Sequence, residues 1–234
     1  TNLSKKYKNY DEVFEYVDSI ISGKKIACKE TRQMCERFKR DLENPKYEFR
    51  PKDAEFVIGI IEKTFVHDKG EKLDGTPLRG EPFLLEPWQK FIIYNILGFF
   101  HKGTIIRRFK EVFIMLPRKN GKTRFAAALA WALALLERLS GSTVYIVGAA
   151  LRQANQSFEF IVYNLEEMGE KENFRIRNNN QEKSIVGDLG KGSIHIEALA
   201  ANPDAQDSLN CNVAIADELH AYKSPKQYNI IKEA

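Results

Sequence analysis

Leu116-Pro117-Arg118-Lys119-Asn120-Gly121-Lys122-Thr123 carries the strongest structural signal in the chain. An apolar run at residues 112–116 leads into it, and an alanine-rich run, apolar nearly all round, follows at residues 123–139. A buried strand joined to a helix by a glycine turn brings free backbone N–H groups and the positive helix end to one point, where an anion binds. The segment therefore predicts a phosphate loop of the P-loop type.

Three side chains of this loop have the chemistry of triphosphate binding. Lys122 is expected to reach the β and γ phosphates of ATP, and Thr123 to offer its hydroxyl to Mg²⁺. Gly121 lets the backbone approach phosphate closely because it has no Cβ. One departure is plain: the P-loop pattern asks for a glycine five positions before Gly121, and Leu116 stands there. Gly-Lys-Thr alone is a weak signal, and its context strengthens it.

The remaining polar residues of the loop add positive charge beside the predicted phosphate. Arg118 is expected to stabilise negative charge developing on the γ-phosphate, or to extend a basic rim. Lys119 and Asn120 complete the predicted nucleotide-binding loop. Arg118 and Lys122 are thus predicted to take part in catalysis as well as in binding.

A second motif, Val213-Ala214-Ile215-Ala216-Asp217-Glu218, is an apolar strand that ends in adjacent carboxylates. Ligands meet parallel sheets at strand ends, and side chains alternate along a strand. Asp217 is therefore expected to serve the Mg²⁺ shell, and Glu218 to act on the attacking water. The alternative is a solvated strand end with two ordinary acids.

The segment at residues 83–89 places Trp88 and Gln89 shortly before the phosphate loop. An aromatic ring and a carboxamide can stack on a purine and hydrogen-bond to it. Trp88 is more often a helix-packing residue, and Gln89 can simply cap a helix.

Short apolar strands alternate with helices in the second half of the chain. This pattern predicts an α/β fold: a P-loop NTPase of the RecA-like (ASCE) class with a mostly parallel sheet flanked by helices. An N-terminal helical accessory segment is expected at residues 1–82 and the ATPase core at residues 83–234. Within the core the expected elements are strands at 112–116, 143–147 and 213–216, a hairpin at 183–186 and 193–198, and helices at 123–139 and 153–168.

Composition sets limits on the function. The hydrophobic fraction of 43% and charged fraction of 29% are those of a soluble globular protein. The net charge of +4 permits nucleic acid as a partner without requiring it. Three cysteines without paired spacing argue against a zinc site and a disulfide scaffold, and no run is long and apolar enough to span a membrane. A cytosolic protein is expected.

Taken together, these motifs resemble the ATPase part of the large terminase subunit of tailed bacteriophages. The resemblance covers residues 83–222 and includes Trp88-Gln89, the loop at residues 117–123, the segments 144–147 and 153–154, and the acidic motif at residues 216–222. A phosphate loop that lacks its first glycine and carries an early arginine is typical of that family.

The resemblance implies an ATPase motor that uses ATP and Mg²⁺ to translocate double-stranded DNA into a procapsid in the host cytoplasm. It assigns Trp88 and Gln89 to adenine binding, and implies a portal protein, a small terminase subunit and a homo-oligomeric ring as partners, with no membrane. Family members also carry a C-terminal nuclease domain, which is expected to be absent from these 234 residues. An arginine donated by a neighbouring subunit is implied too, and Arg152 is one candidate.

Two alternatives stay open at this point. The sequence Asp217-Glu218-Leu219-His220 also fits the acidic motif of a superfamily-two helicase or translocase, although Lys119 stands where such helicases usually have a glycine. The chain could also bind nucleotide and act as a docking module without turnover.

Overall fold

The computed structural model describes residues 3–201 and 210–233. The chain forms two compact units, the first made of Thr1–Glu62 and Leu84–Met115 and the second of Lys63–Phe83 and Leu116–Ala234. The division expected from the sequence, between residues 82 and 83, stays a prediction about which part of the chain acts as the ATPase.

The first unit is mainly helical around an aromatic core. Its elements are α1 (Leu3–Lys6), α2 (Tyr10–Ile21), α3 (Lys29–Glu43), β1 (Tyr47–Phe49), α4 (Lys52–Thr64, whose last two residues belong to the second unit), α5 (Pro87–Gly98) and β2 (Phe99–His101). Phe38 is fully buried, and its ring contacts those of Phe14, Phe49, Phe91 and Phe99. Edge-to-face packing of this kind stabilises a core beyond the area that the rings bury.

The second unit contains a five-stranded sheet. Its elements are α6 (Lys122–Glu137), β3 (Ser142–Gly148), α7 (Leu151–Glu167), β4 (Arg175–Asn178), β5 (Lys183–Asp188), β6 (Ser193–Ala200), β7 (Val213–Ala216) and α8 (Pro225–Glu233). The strand order is β4-β5-β6-β3-β7. Strand β3 is parallel to both β6 and β7, so these strands point their carboxyl ends to the same edge.

Helices lie on both faces of this sheet, as expected for an α/β fold. Helices α6 and α7 pack against each other and against β3 and β6. On the other face, Tyr145 and Val147 of β3 form a buried cluster with Ile231 of α8. Helix α6 is the most apolar of the unit and has 16 residues, and no helix in the described part of the chain is long and apolar enough to cross a membrane.

The sheet is mixed, whereas the sequence predicted a mostly parallel one. Strand β5 runs antiparallel to β6, which confirms the predicted hairpin, and β4 runs antiparallel to β5. The short strand β4 was not predicted, because Arg175-Ile176-Arg177-Asn178 has one apolar residue and its side chains are exposed or half-buried. Its pairing with β5, and not its own composition, makes it a strand.

The predicted strand at residues 112–116 is wrong. Residues 111–117 have no regular secondary structure, and Val112, Phe113 and Met115 are 47%, 76% and 79% exposed. An apolar run becomes a strand only where a neighbouring strand satisfies its backbone N–H and C=O groups. No described segment pairs with this one.

Candidate nucleotide-binding site

The phosphate loop has a compact backbone that ends at the first residue of α6. Gly121 caps the helix in the left-handed region, with φ of 68° and ψ of 15°. Lys119 has φ of 67°, which costs a non-glycine residue roughly 1–3 kcal/mol and persists only where the surroundings hold it. Asn120 holds it here, because its Nδ2 donates to the carbonyls of Pro117 at 3.2 Å and Arg118 at 3.3 Å.

The acidic motif lies at the carboxyl end of β7, as predicted. The Asp217 N–H donates to the carbonyl oxygen of Val147 at 2.8 Å, which fixes Asp217 beside the end of β3. The Asp217 carboxylate in turn accepts the Glu218 N–H at 2.9 Å. Glu218 is, with Lys119, one of two non-glycine residues in the described part of the chain with a positive φ, here 51°. Strained backbone of this kind concentrates at functional sites.

The two motifs meet, although they lie 96 positions apart in the sequence. The ammonium of Lys122 is 2.5 Å from Glu218 Oε1 and 3.9 Å from Asp217 Oδ1. The buried hydroxyl of Ser157 on α7 donates to the Thr123 carbonyl at 3.3 Å, which ties the start of α6 to its neighbour. A lysine, a threonine and two carboxylates thus converge where the sequence predicted.

One cleft of about 300 Å³ lies beside these groups, and Lys122 does not line it but contacts Glu218, which does. It is lined by Arg118, Thr123, Gln153, Gln156, Asp217, Glu218 and His220. Lys119 and Asn120 are exposed beside it, and neither lines it. Arg152, the candidate for a neighbour-facing role, is exposed and does not line it either.

The two carboxylates differ in their electrostatic surroundings. Burial raises the pKa of the Asp217 carboxyl, and the nearby Lys122 ammonium opposes that rise. The hydrogen bond from Lys122 lowers the pKa of Glu218. Asp217 is only 7% exposed, so its negative charge lacks solvation and a close cation would stabilise it.

A divalent cation fits this chemistry. The Thr123 hydroxyl and the Asp217 carboxylate line the same cleft. Within residues 3–201 and 210–233 no group of three or more His, Cys, Asp or Glu side chains could hold a metal ion by itself. Mg²⁺ typically takes only one or two protein carboxylates and completes its shell with waters and substrate phosphates.

Three residues of the cleft were not predicted as site residues. His220 Nδ1 lies 3.2 Å from Glu218 Oε2, and its position two residues after the acidic pair was the available signal. Gln153 and Gln156 come from the start of α7, and Gln153 Oε1 accepts the Ala150 N–H at 3.1 Å. Helix starts after parallel strands face the same sheet edge as the phosphate loop, which is the signal that would have found them.

Trp88 and Gln89, the predicted adenine contacts, lie on the first turn of α5 in the first unit. Gln89 is buried, and its Oε1 accepts the Glu86 N–H at 2.8 Å. This is half of a capping box, in which side chain and backbone satisfy each other at a helix start. Trp88 is half-buried. The adenine role of both residues stays a prediction.

Gln89 variants separate capping from base recognition. We expect Gln89→Ala to lower the free energy of unfolding by about 1 kcal/mol, because the cap is lost and the Glu86 N–H loses its acceptor. Gln89→Glu keeps an acceptor and should retain most of that stability in urea unfolding. ATP affinity lost in Gln89→Glu with stability retained would support the adenine role. Equal stability loss in both variants would contradict the capping role.

Comparisons with known proteins identify the family of the chain. The family model described as "Terminase large subunit, ATPase domain" matches residues 87–234. No curated protein matches the chain. A solved structure, "Crystal structure of the HK97 bacteriophage large terminase", is similar over 72% of this chain and 31% of that one, with 21% identity and a TM-score of 0.49. The match to the family model includes both motifs that form the cleft and covers most of the sequence, and on that basis the chain belongs to the family of terminase large subunit ATPase domains.

Proposed function

We propose that this chain is the ATP-hydrolysing part of a motor that packages double-stranded viral DNA. The observation that carries the proposal is the convergence of Lys122, at the start of α6, with Asp217 and Glu218, at the end of β7. A lysine at a helix start, 2.5 Å and 3.9 Å from two carboxylates that line a cleft, is suited to hold a triphosphate and a water molecule together.

Each residue of the loop has a role in binding the nucleotide. Lys122 binds the β and γ phosphate oxygens with its ammonium, and the backbone of residues 119–121 surrounds the phosphates. Arg118, which lines the cleft, stabilises the negative charge that develops on the γ-phosphate. Trp88 and Gln89 contribute to adenine recognition.

Thr123 and Asp217 would hold Mg²⁺, which when bound neutralises phosphate charge and orients the phosphate chain. The fit rests on the burial of the Asp217 carboxyl, whose charge is incompletely compensated by Lys122 at 3.9 Å. Thr123, at the first turn of α6, also lines the cleft, and its hydroxyl would supply a neutral oxygen.

Glu218 is the general base that takes a proton from the attacking water. Lys122 donates to Glu218 Oε1 at 2.5 Å, so the proposed base is engaged by the residue proposed to bind phosphate. A triphosphate competes for the same ammonium and releases Glu218 toward water. His220, 3.2 Å from the second Glu218 oxygen, orients the released carboxylate.

The motor acts on duplex DNA through phosphate contacts that do not depend on base sequence. We propose a portal protein and a small terminase subunit as its partners, a ring of identical subunits as the working assembly, and the host cytoplasm as its location. The chain covers 31% of the matched HK97 large terminase, so these properties are assigned to the complete protein that contains it.

A packaging assay tests the motor. The complete protein, procapsids and linear duplex DNA are mixed with ATP, and DNA that resists added nuclease is measured. We expect ATP-dependent protection that falls steeply with rising salt, because phosphate contacts release counterions. Strand separation of a duplex with no protection would favour the helicase alternative, and nucleotide binding without phosphate release would favour the docking module.

Thr123 variants test the assigned metal ligand. Thr123→Ala should weaken Mg²⁺-dependent ATP binding by about fivefold, because one neutral oxygen ligand contributes about 1 kcal/mol net. Thr123→Ser keeps the hydroxyl and should bind like the parent. Titration of ATP in Mg²⁺ and in EDTA measures this. The same affinity for all three chains in Mg²⁺ would remove Thr123 from the metal site.

A further inference from the structure

The segment at residues 217–222, called the acidic turn below, is fixed at both ends to one backbone carbonyl. The Asp217 N–H donates to the carbonyl oxygen of Val147 at 2.8 Å. The Tyr222 hydroxyl donates to the same oxygen at 3.0 Å. A carbonyl oxygen has two lone pairs and can accept both bonds. The acidic turn therefore starts and ends at the carboxyl end of β3, the strand that contains Val147.

Hydrogen bonds within the acidic turn make it compact. Its central residues, Leu219–Ala221, form a short 3₁₀ helix. The Ala221 N–H donates to the Glu218 carbonyl at 2.8 Å, and the Tyr222 N–H donates to the Leu219 carbonyl at 3.2 Å. Glu218 and His220, which both line the cleft, thus belong to a short segment whose two ends are fixed.

The backbone of Glu218 needs this support. Its φ of 51° is unfavourable for a residue other than glycine and persists only where the surroundings hold it. On one side the Asp217 carboxylate accepts the Glu218 N–H at 2.9 Å. On the other side the turn continues to the bond between Tyr222 and Val147. Loss of that bond would let Glu218 relax to a negative φ, which moves its carboxylate within the cleft.

Tyr222 is itself held in place by packing. Its half-buried ring packs against the hydrophobic cluster that includes Tyr145 of β3 and Ile231 of α8. Burial, together with the nearby Asp217 carboxylate, raises the pKa of the Tyr222 hydroxyl, which therefore stays protonated and remains a donor. The hydroxyl thus has a fixed ring behind it and a fixed acceptor in front of it.

We infer that Tyr222 is a positioning residue for ATP hydrolysis, which holds the Glu218 carboxylate where it takes a proton from the attacking water. This rests on the proposed function, because it takes Glu218 as the general base. Tyr222 is not among the residues that line the cleft, so it acts through the backbone of the acidic turn and not on the nucleotide. The packing between β3 and α8 thereby contributes to turnover.

Tyr222→Phe tests the inference, because it removes the hydroxyl and keeps the packed ring. In the complete protein we expect kcat to fall at least about fivefold, the factor that corresponds to about 1 kcal/mol for one hydrogen bond. ATP affinity should equal the parent's, because Lys122 and Thr123 lie outside the acidic turn. Tyr163→Phe is the matched control, since Tyr163 is a half-buried tyrosine of α7 that does not line the cleft, and it should keep the parent's kcat.

The same substitution in a Glu218→Gln chain shows whether Tyr222 acts through Glu218. Single-turnover phosphate release should then fall by less than about twofold on adding Tyr222→Phe, because residues that act as a unit are not additive. A purely structural role predicts the same fractional loss in both backgrounds.

Three results would overturn the inference: an unchanged kcat in Tyr222→Phe, an equal loss with and without Glu218→Gln, or a loss of ATP affinity that accompanies the loss of turnover. Failure of the proposed base is seen separately in the Glu218→Gln chain. Hydrolysis there at the parent's rate would overturn the base and this inference together. A slow Glu218→Gln chain beside a fully active Tyr222→Phe chain would overturn this inference alone.

Discussion

Lys122→Ala is expected to lose at least about 100-fold in ATP affinity and all measurable hydrolysis. The ammonium of Lys122 lies 2.5 Å from Glu218 and 3.9 Å from Asp217, two carboxylates that line the cleft, and we propose that it binds the triphosphate there. Each charge-assisted hydrogen bond contributes roughly 1.5–3 kcal/mol, and two such bonds to phosphate oxygens give a loss of two or more orders of magnitude. Two carboxylates left without their cation would also repel the phosphates.

Titration calorimetry with ATP and Mg²⁺ measures this loss, and phosphate release measures turnover. Lys191→Ala is the matched control, because Lys191 is an exposed lysine in the turn between β5 and β6, outside the cleft. It should bind ATP like the parent. A Lys122→Ala chain that keeps its affinity within twofold would show that the cleft is not the triphosphate site.

The sequence predicted that the two motifs of the site meet, and it predicted the sheet around them less well. The motifs around Lys122 and Glu218 consist of consecutive residues whose roles follow from their own geometry, a glycine turn into a helix and an apolar strand ending in acids. Strand β7 was predicted with its observed bounds, Val213–Ala216, and the hairpin was predicted from its turn residues. Local patterns were enough in these places.

The residues 112–116 show where local patterns fail. Their composition is that of a buried strand, yet they are mostly exposed. A strand forms only beside a hydrogen-bonded neighbour, and the residues of the run do not determine whether that neighbour exists. Strand β4 is the converse case, a polar segment that pairs with β5. The hydrogen-bond partner of a side chain such as Gln89 cannot be predicted from the sequence either. The same flanking residues are compatible with a glutamine that caps the helix and with one that faces a ligand.

The positive φ angles at the site could not be predicted from the sequence either. Lys119 and Glu218 are the two non-glycine residues of the described chain with positive φ. One belongs to the phosphate loop and the other to the acidic motif. Nothing in their residue types favours that conformation, since asparagine and aspartate are the side chains that tolerate it best. Because both motifs contain such a residue, the two positive φ angles together support a functional site at this cleft more directly than either motif alone.

Glu218→Gln is expected to lower kcat by about 10²- to 10⁴-fold, the range for removal of a general base, while ATP affinity stays equal to the parent's or rises. The amide keeps the shape of the side chain but does not accept a proton from water. The gain in affinity follows from the ion pair between the two residues: Lys122 donates to Glu218 at 2.5 Å, and phosphate oxygens compete for the same ammonium. A neutral glutamine holds the ammonium less strongly, so part of that competition disappears.

In this variant turnover therefore falls while ATP affinity does not, whereas a misfolded site would lose both. Glu167→Gln, at the exposed end of α7, is the matched control and should leave both quantities unchanged. Single-turnover phosphate release at saturating ATP gives the chemical step, and titration with ATP gives the affinity. Hydrolysis at the parent's rate would remove Glu218 from catalysis, whereas ATP affinity lost together with turnover would show that its contact with Lys122 supports the cleft and does not compete with the nucleotide.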